Sequence, residues 1–97
     1  NLFGNGISTS PSNAHASQRG AAFPLVTVAD NVRCQHRLVA EVLGVVRVAL
    51  ATGWSMGALQ AYQWAVEYGD YVAALLPFCG AARCSPHNRV FIAGVRA

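Results

Sequence analysis

The stretch VVRVALATGWSMGALQAYQWAVEYG, residues 45–69, decides the fold of this chain. It opens with a short, mostly β-branched and apolar run, which is typical of a strand buried on both faces of a parallel sheet. We therefore predict a strand over residues 45–51 and a tight turn over residues 53–57. A helix should follow the turn, run to about Tyr68 and be capped by Gly69.

The turn contains a motif with a chemical meaning. Gly53-Trp54-Ser55-Met56-Gly57 matches the G-x-S-x-G nucleophile elbow, in which a serine lies on a strained strand-to-helix turn. A serine hydroxyl is a weak nucleophile, and this turn exposes it at a helix N-terminus, where backbone N–H groups point outward. Because the turn is tight, Gly53 and Gly57 should both need to be small. The motif predicts Ser55 as a nucleophile and the Met56 N–H as an oxyanion donor. A glycine-rich turn that binds an anion, or nothing, is the alternative.

The segment before this stretch predicts a loop and a helix. Residues 1–26 are rich in Gly, Ser, Asn and Ala, which indicates a loop. This loop is either a flexible tail or a long loop that lines a site. Thr27 and Asp30 have the spacing of a helix capping box, so a helix should begin there and cover residues 28–43. Gly44 should end it in a left-handed conformation.

The segment after it continues the alternation of strands and helices. A second apolar strand is predicted over residues 72–78, followed by a small-residue loop over 79–83. Ser85 and Pro86 have the N-cap and first-position chemistry of a helix start. Residues 27–97 therefore read as helix, strand, elbow, helix, strand, helix. This order predicts an α/β fold with parallel strands joined by right-handed crossovers.

The composition is unusually apolar for a chain of 97 residues, with 54% hydrophobic and 11% charged residues. A small free-standing domain has much surface to cover and normally carries more charge. We therefore expect residues 1–97 to be the central part of a single larger domain, that is, a fragment.

Charge and cysteine content exclude several classes of function. The net charge of +3 comes from seven dispersed arginines and no lysine, without the clustering that a nucleic-acid surface needs. No window is apolar for long enough to predict a membrane span. Cys34, Cys79 and Cys84 lack the paired spacing of a metal site and are expected to be free thiols of a cytoplasmic protein.

Several blocks of sequence now support a resemblance that covers nearly the whole chain. The blocks are residues 1–6 (NLFGNG), 23–27 (FPLVT), 30–32 (DNV), 35, 43–45 (LGV), 53–57 (GWSMG), 60, 64–65 (WA) and 85–88 (SPHN). In order and spacing they resemble the homoserine O-acetyltransferase family of α/β-hydrolase-fold proteins. The fold expected from this resemblance is the part of an α/β-hydrolase domain around its nucleophile elbow.

The resemblance implies an activity. In that family the serine is acylated by an acyl-CoA and the acyl group passes to a hydroxyl acceptor, so Ser55 matches the nucleophile and Met56 the oxyanion donor. Acetyl-CoA or another acyl-CoA would be a co-substrate, with no bound cofactor and no metal. The partners implied are small-molecule substrates, with a possible homodimer of the full-length protein.

The acetyltransferases usually have Gly where this chain has Trp54 and Ala58, so Trp54 is expected to reshape a substrate pocket. A serine esterase or thioesterase and a non-catalytic remnant are the alternatives.

The remaining members of a catalytic triad are not credible within this chain. On this fold the acid and the histidine follow the serine. Asp70 is expected at the opposite end of the sheet from Ser55, as a turn residue. The resemblance places the acid and the base beyond residue 97, and a second oxyanion donor before residue 1. His87 has two interpretations, helix N-terminal capping and substrate contact. The chain alone is expected to show no appreciable turnover.

Overall fold

The structure, a computed structural model, describes residues 2–96. The chain divides into two compact units, Asn1–Val48 and Ala49–Ala97. The single domain that the sequence predicts over residues 1–97 therefore stays a prediction.

The first unit begins with a loop. Two single-turn 3₁₀ helices lie within it, at Ala16–Gln18 and Gly20–Ala22. The N–H of Ser10 donates to the Asn13 side chain at 2.7 Å, and Ser10 itself is buried. These contacts give the loop a defined conformation. Both interpretations, a flexible tail and a loop that lines a site, stay predictions.

The predicted helix over residues 28–43 consists of two parts. An α-helix, α1, covers Val28–Arg37, and a π-helical turn continues it over Leu38–Val42. The N–H of Leu43 donates to the carbonyl five residues earlier at 3.0 Å, which widens the last turn. Gly44 then takes the expected left-handed conformation, with φ +65°.

The N-terminus of α1 has the predicted capping box. The Asp30 N–H donates to Thr27 Oγ1 at 3.1 Å, and the Thr27 N–H donates to Asp30 Oδ2 at 2.9 Å. The Thr27 hydroxyl also donates to this carboxylate at 2.6 Å. Hydrogen bonds from the Thr27 hydroxyl and then the Thr27 backbone hold the pKa of Asp30 below its ordinary value of 3.8.

We expect Thr27→Ala to lower the free energy of unfolding by about 1 kcal/mol near neutral pH, because it removes the N-cap hydroxyl. The folded-state pKa of Asp30 is lowered, so its contribution is present above pH 3.8 and is lost as the pH falls through the folded-state value. The difference between Thr27→Ala and the wild type should therefore shrink in acid. Denaturant unfolding at a series of pH values measures this. Thr27→Ser retains the hydroxyl and is the control; equal losses in both variants would contradict the prediction.

The second unit contains a parallel pair of strands. Strand β1 covers Ala51–Trp54 and strand β2 covers Leu75–Phe78, with Ala51 opposite Leu75 and Trp54 opposite Phe78. The parallel arrangement that the alternation predicts is confirmed. The predicted bounds were wrong at both strands: β1 begins at Ala51 instead of residue 45, and β2 begins at Leu75 instead of residue 72. An apolar run in the sequence indicates a segment that tends to be buried. The first residue of a strand, however, is set by where hydrogen bonding to the neighbouring strand begins.

Helix α2 covers Met56–Tyr68, as the sequence predicts. Gly69 follows with φ −56°, so it ends the helix in a helical conformation without a left-handed cap. The buried face of α2 contains Ala58, Ala61 and Trp64, and the helix packs against both strands. Two alanines on this face let the helix axis approach the strands closely.

Within the described part of the second unit, one face of the sheet is covered by α2 and the other is exposed. Exposure alternates along both strands, with Thr52, Trp54, Leu76 and Phe78 on the exposed face. Trp54 is 69% exposed. Parallel strands are normally covered on both faces, whereas the apolar side chains of Trp54, Leu76 and Phe78 are exposed on this one.

Helix α3 covers Pro86–Arg96. The Asn88 N–H donates to Ser85 Oγ at 3.2 Å, which confirms Ser85 as the predicted N-cap. Among residues 2–96, α3 makes no close backbone approach to another helix or strand. None of the helices described in this range is long and apolar enough to cross a membrane.

Candidate active site

Ser55 lies at the junction between β1 and α2, in a backbone conformation that is rare for its residue type. Its φ is 54° and its ψ is −113°, and the residue is exposed. A non-glycine residue held there costs about 1–3 kcal/mol, which the surrounding structure must supply. The Ser55 N–H donates to the Phe78 carbonyl at 2.9 Å, so the end of β2 supports the strained turn. Within the described residues the Ser55 hydroxyl has no hydrogen-bond partner, which leaves its oxygen accessible.

The turn closes tightly at Gly53. A Cβ atom at this position would lie 2.3 Å from both the carbonyl carbon and the oxygen of Gly57. Only glycine fits there. The expectation that Gly57 must also be small is not supported in the described part of the chain, where a Cβ at Gly57 would meet no atom within 4 Å. The two glycines of the motif therefore differ. The turn leaves no room for a side chain at Gly53, because the backbone of Gly57 occupies that space, whereas among the described residues a side chain at Gly57 has room.

Met56 is the first residue of α2. The first N–H groups of a helix have no intrahelical acceptor, and no other acceptor for the Met56 N–H is found among residues 2–96. This free donor directly follows the serine, where the positive end of the helix dipole favours negative charge. The geometry supports the oxyanion role predicted for Met56, which stays a prediction.

Ser55 opens into a groove of about 640 Å³ within the second unit. Its walls come from the start of α2, the loop after β2, and one face of α3. The lining residues are Ser55, Met56, Leu59, Cys79, Gly80, Ala81, Ala82, Arg83, Cys84, Asn88, Phe91 and Ile92. Most of them are apolar, so the groove suits a small organic molecule with few polar groups.

The loop over residues 79–84 lines this groove, although the sequence predicted only a small-residue loop there and no role in the site. Cys79 has φ 49°, the second positive-φ position outside glycine. A Cβ at Gly80 would lie 2.5 Å from Ala58 Cβ and 3.0 Å from the Ser55 carbonyl oxygen. The loop therefore packs directly against the elbow. The predicted topology could have indicated this role. The elbow follows β1 and the loop follows β2, and loops at the carboxyl ends of neighbouring parallel strands meet at one edge of a sheet.

Trp54 is the last residue of β1 and does not line the groove. Its ring stacks on that of Phe78 across the two strands, with centroids 6.5 Å apart and planes 26° apart. The ring lies on the exposed face of the sheet. The substrate-binding role predicted for Trp54 stays a prediction, and within this chain the residue is a neighbour of the nucleophile rather than part of its groove.

His87 does not line the groove either. It is the second residue of α3, and its ring meets that of Phe91 edge-on at 5.8 Å. The capping hydroxyl belongs to Ser85, so the interpretation of His87 as the helix cap is wrong. Its possible contact with a substrate stays a prediction.

Asp70 lies beyond the end of α2 that is remote from Ser55. The helix has 13 residues, so at about 1.5 Å per residue the two lie roughly 20 Å apart along its axis. This separation agrees with the view of Asp70 as a turn residue. Among the described residues, no group of three or more His, Cys, Asp and Glu could hold a metal ion. The three cysteines are free and exposed.

Comparisons with known proteins identify relatives of this chain. No protein-family model matches it. The chain is 44% identical over 91 residues to an ethyl acetate hydrolase of Pseudomonas veronii, and 45% identical over 87 residues to a homoserine O-acetyltransferase of Symbiobacterium thermophilum. These alignments cover 94% and 87% of this chain, but only 26% and 22% of the relatives.

A solved structure shows the same relationship. The crystal structure of an acetylester hydrolase from Corynebacterium glutamicum superposes with a TM-score of 0.88 at 37% identity. The match covers 96% of this chain and 27% of that protein. The chain thus spans about a quarter of the length of the relatives it matches.

Proposed function

We propose that this chain, which has part of an α/β-hydrolase fold and homologues among homoserine O-acyltransferases and acetyl ester hydrolases, carries the nucleophile of a serine acyltransferase. Residues 1–97 would be the central part of a single domain of a longer protein, called here the full-length enzyme. The observation that carries the proposal is the strained, exposed Ser55, which opens into a groove at the start of α2.

The proposed reaction has two steps of acyl transfer. Ser55 Oγ attacks the thioester carbonyl of an acyl-CoA while a base takes the hydroxyl proton, and the Met56 N–H donates to the resulting oxyanion. Collapse of the tetrahedral intermediate breaks the C–S bond, and the thiolate takes up the proton. A hydroxyl acceptor, as in homoserine O-acetyltransferases, then attacks the acyl-serine ester and gives its proton to the base. The new ester bond forms, the bond between Ser55 Oγ and the acyl carbon breaks, and Ser55 takes up that proton.

Other parts of the full-length enzyme must complete this site. His87 lines no wall of the Ser55 groove and Asp70 lies at the far end of α2, so neither is proposed as the base or the acid. The isolated chain is accordingly proposed to be inactive. Trp54 would form a wall of the acceptor or acyl pocket from the exposed face of the sheet, and His87 is the weaker candidate for a substrate contact. The full-length enzyme is proposed to be cytoplasmic, to draw on acetyl-CoA or a related donor, and to form a homodimer.

A second function is favoured by one comparison. Relatives named as an ethyl acetate hydrolase and an acetylester hydrolase match this chain about as well as a homoserine O-acetyltransferase does. In an esterase, water replaces the acceptor alcohol in the second step and the same acyl-Ser55 intermediate forms. A thioesterase would also fit this scheme. A non-catalytic remnant is the third possibility, and it would leave the elbow without an acid and a base.

We expect the full-length enzyme to convert acetyl-CoA and homoserine to the O-acetyl ester faster than it releases free acetate. An acceptor bound beside the acyl-serine reacts as an intramolecular nucleophile and competes well with water. Mass spectrometry of the products measures both rates in one incubation. Acetate alone, together with rapid hydrolysis of ethyl acetate, would reject the transferase and favour the esterase.

A further inference from the structure

Arg83 occupies a distinctive place in the second unit. It lines the groove that contains Ser55, and it also lines an adjoining hollow of about 340 Å³ together with Arg89. Cys84 is shared by both cavities in the same way. Among the residues that line the groove of Ser55, Arg83 is the one whose side chain is a permanent cation.

The surroundings of Arg83 leave its charge uncompensated. Residues 71–97 contain three arginines and no aspartate or glutamate. The acids of the second unit are Glu67 and Asp70, which lie at the end of α2 remote from Ser55. Within residues 2–96, neither Arg83 nor Arg89 makes an ion pair. Two like charges with no acid beside them attract an anion.

The rest of the groove restricts what that anion can be attached to. Leu59, Phe91 and Ile92 make its walls apolar, and Ser55 opens at one side. A ligand that fills it would present a carbonyl to the serine, an apolar body to the walls, and a negative group to the arginine. The planar fork of arginine matches a carboxylate or phosphate with two parallel hydrogen bonds.

We infer that Arg83, with Arg89 beside it, binds an anionic oxygen group of the substrate whose carbonyl is attacked by Ser55. Arg83 is thus a specificity-determining residue, and it selects esters or thioesters that carry a carboxylate or phosphate over neutral ones. This inference rests on the proposed function, because it needs Ser55 as the reacting group. The negative group belongs either to the acyl chain, as a carboxylate, or to the coenzyme A donor, as a phosphate. Both present anionic oxygen atoms to the arginine.

The test uses the full-length enzyme and matched pairs of substrates. The first pair is p-nitrophenyl hemisuccinate and p-nitrophenyl acetate, which places the charge on the acyl chain. The second pair is acetyl-CoA and S-acetylpantetheine, which places it on the donor. We expect Arg83→Gln to lower the anionic-to-neutral ratio of kcat/KM about tenfold for one pair. The loss should appear chiefly as a raised KM. The pair that responds identifies the source of the charge.

Two further variants sharpen the result. Arg83→Lys retains the charge without the fork, so it should recover part of the ratio. Arg96→Gln removes a cation of α3 that lines neither cavity and should leave the ratio unchanged. Equal effects of Arg83→Gln on anionic and neutral substrates in both pairs would overturn the inference, while Ser55-dependent turnover of p-nitrophenyl acetate would still support the proposed function.

The inference and the proposed function can fail separately. If no substrate is turned over, the proposed function is rejected, and titration calorimetry with coenzyme A and with N-(4-nitrophenyl)succinamate, the amide analogue of the hemisuccinate ester, decides whether the groove has an anion site. Binding of either probe that weakens about tenfold in Arg83→Gln supports an anion site in the groove. Binding that is absent, or unchanged by the substitution, overturns it.

Discussion

Ser55→Ala is expected to abolish labelling of the full-length enzyme by a fluorophosphonate and to lower kcat/KM by about 10⁴-fold or more. The alanine removes the oxygen that forms the acyl intermediate, and among the described residues no other hydroxyl or amine shares the groove. The fold should survive, because the contacts that support the turn are made by the Ser55 backbone, through its N–H to the Phe78 carbonyl. Intact-protein mass spectrometry after exposure to the probe measures the label directly.

Ser85→Ala is a matched control for this experiment. Ser85 is also an exposed serine at the start of a helix, and its hydroxyl caps α3. Its loss should cost about 1 kcal/mol of stability and leave the labelling intact. If Ser55→Ala is labelled as strongly as the wild type, or if the label maps to another serine, the assignment of the nucleophile is wrong.

Gly53→Ala is expected to cost about 3 kcal/mol of stability or more, a large effect for the addition of one methyl group. The new Cβ would lie 2.3 Å from the carbonyl carbon and oxygen of Gly57 and 2.8 Å from its Cα. These are backbone atoms at the start of α2, so the clash cannot be relieved by rotation of a side chain. The turn must open, and overpacking of this kind is strongly destabilising. Denaturant unfolding of the full-length enzyme measures the loss.

Gly57→Ala supplies the comparison within the same motif. A Cβ there meets no atom within 4 Å in the described residues, and alanine is the better helix former. We expect a change of less than about 1 kcal/mol, in the stabilising direction. A loss as large as that of Gly53→Ala would contradict this, and would mean that another part of the full-length enzyme covers this face of α2.

The helices of both units were largely predictable because their signals are local. The Ser85 N-cap depends on a hydroxyl one residue before a proline, and the structure has the predicted hydrogen bond. The start of α1 follows in the same way from the spacing of Thr27 and Asp30. The strand bounds failed because pairing is not local: residues 45–50 are as apolar as a strand, yet the ladder with β2 begins at Ala51.

The candidate site was predictable in its centre and not in its walls. The elbow motif located Ser55 and Met56, since the turn and the helix start are formed by adjacent residues. Arg83 and the loop around it contain no sequence motif, and the signal that could have found them is topological, because they reach the serine through the pairing of β1 with β2. Trp54 adjoins Ser55 in sequence but lies on the exposed face of the sheet and does not line this groove, so its role in substrate binding stays a prediction.

The sequence by itself determined the order of the elements, the helix starts, and the position of the strained serine, because each depends on a few consecutive residues and their backbone preferences. The tertiary structure alone decided which glycine of the motif is indispensable, where the strands begin, and which side chains share the groove with Ser55. The strand bounds and the groove arise from contacts of β1 and the start of α2 with β2 and the loop after it, which join residues more than 20 positions apart in the chain. Gly53 and Gly57 are only four positions apart, but which of the two is crowded depends on the three-dimensional course of the turn and not on the residue types in the motif.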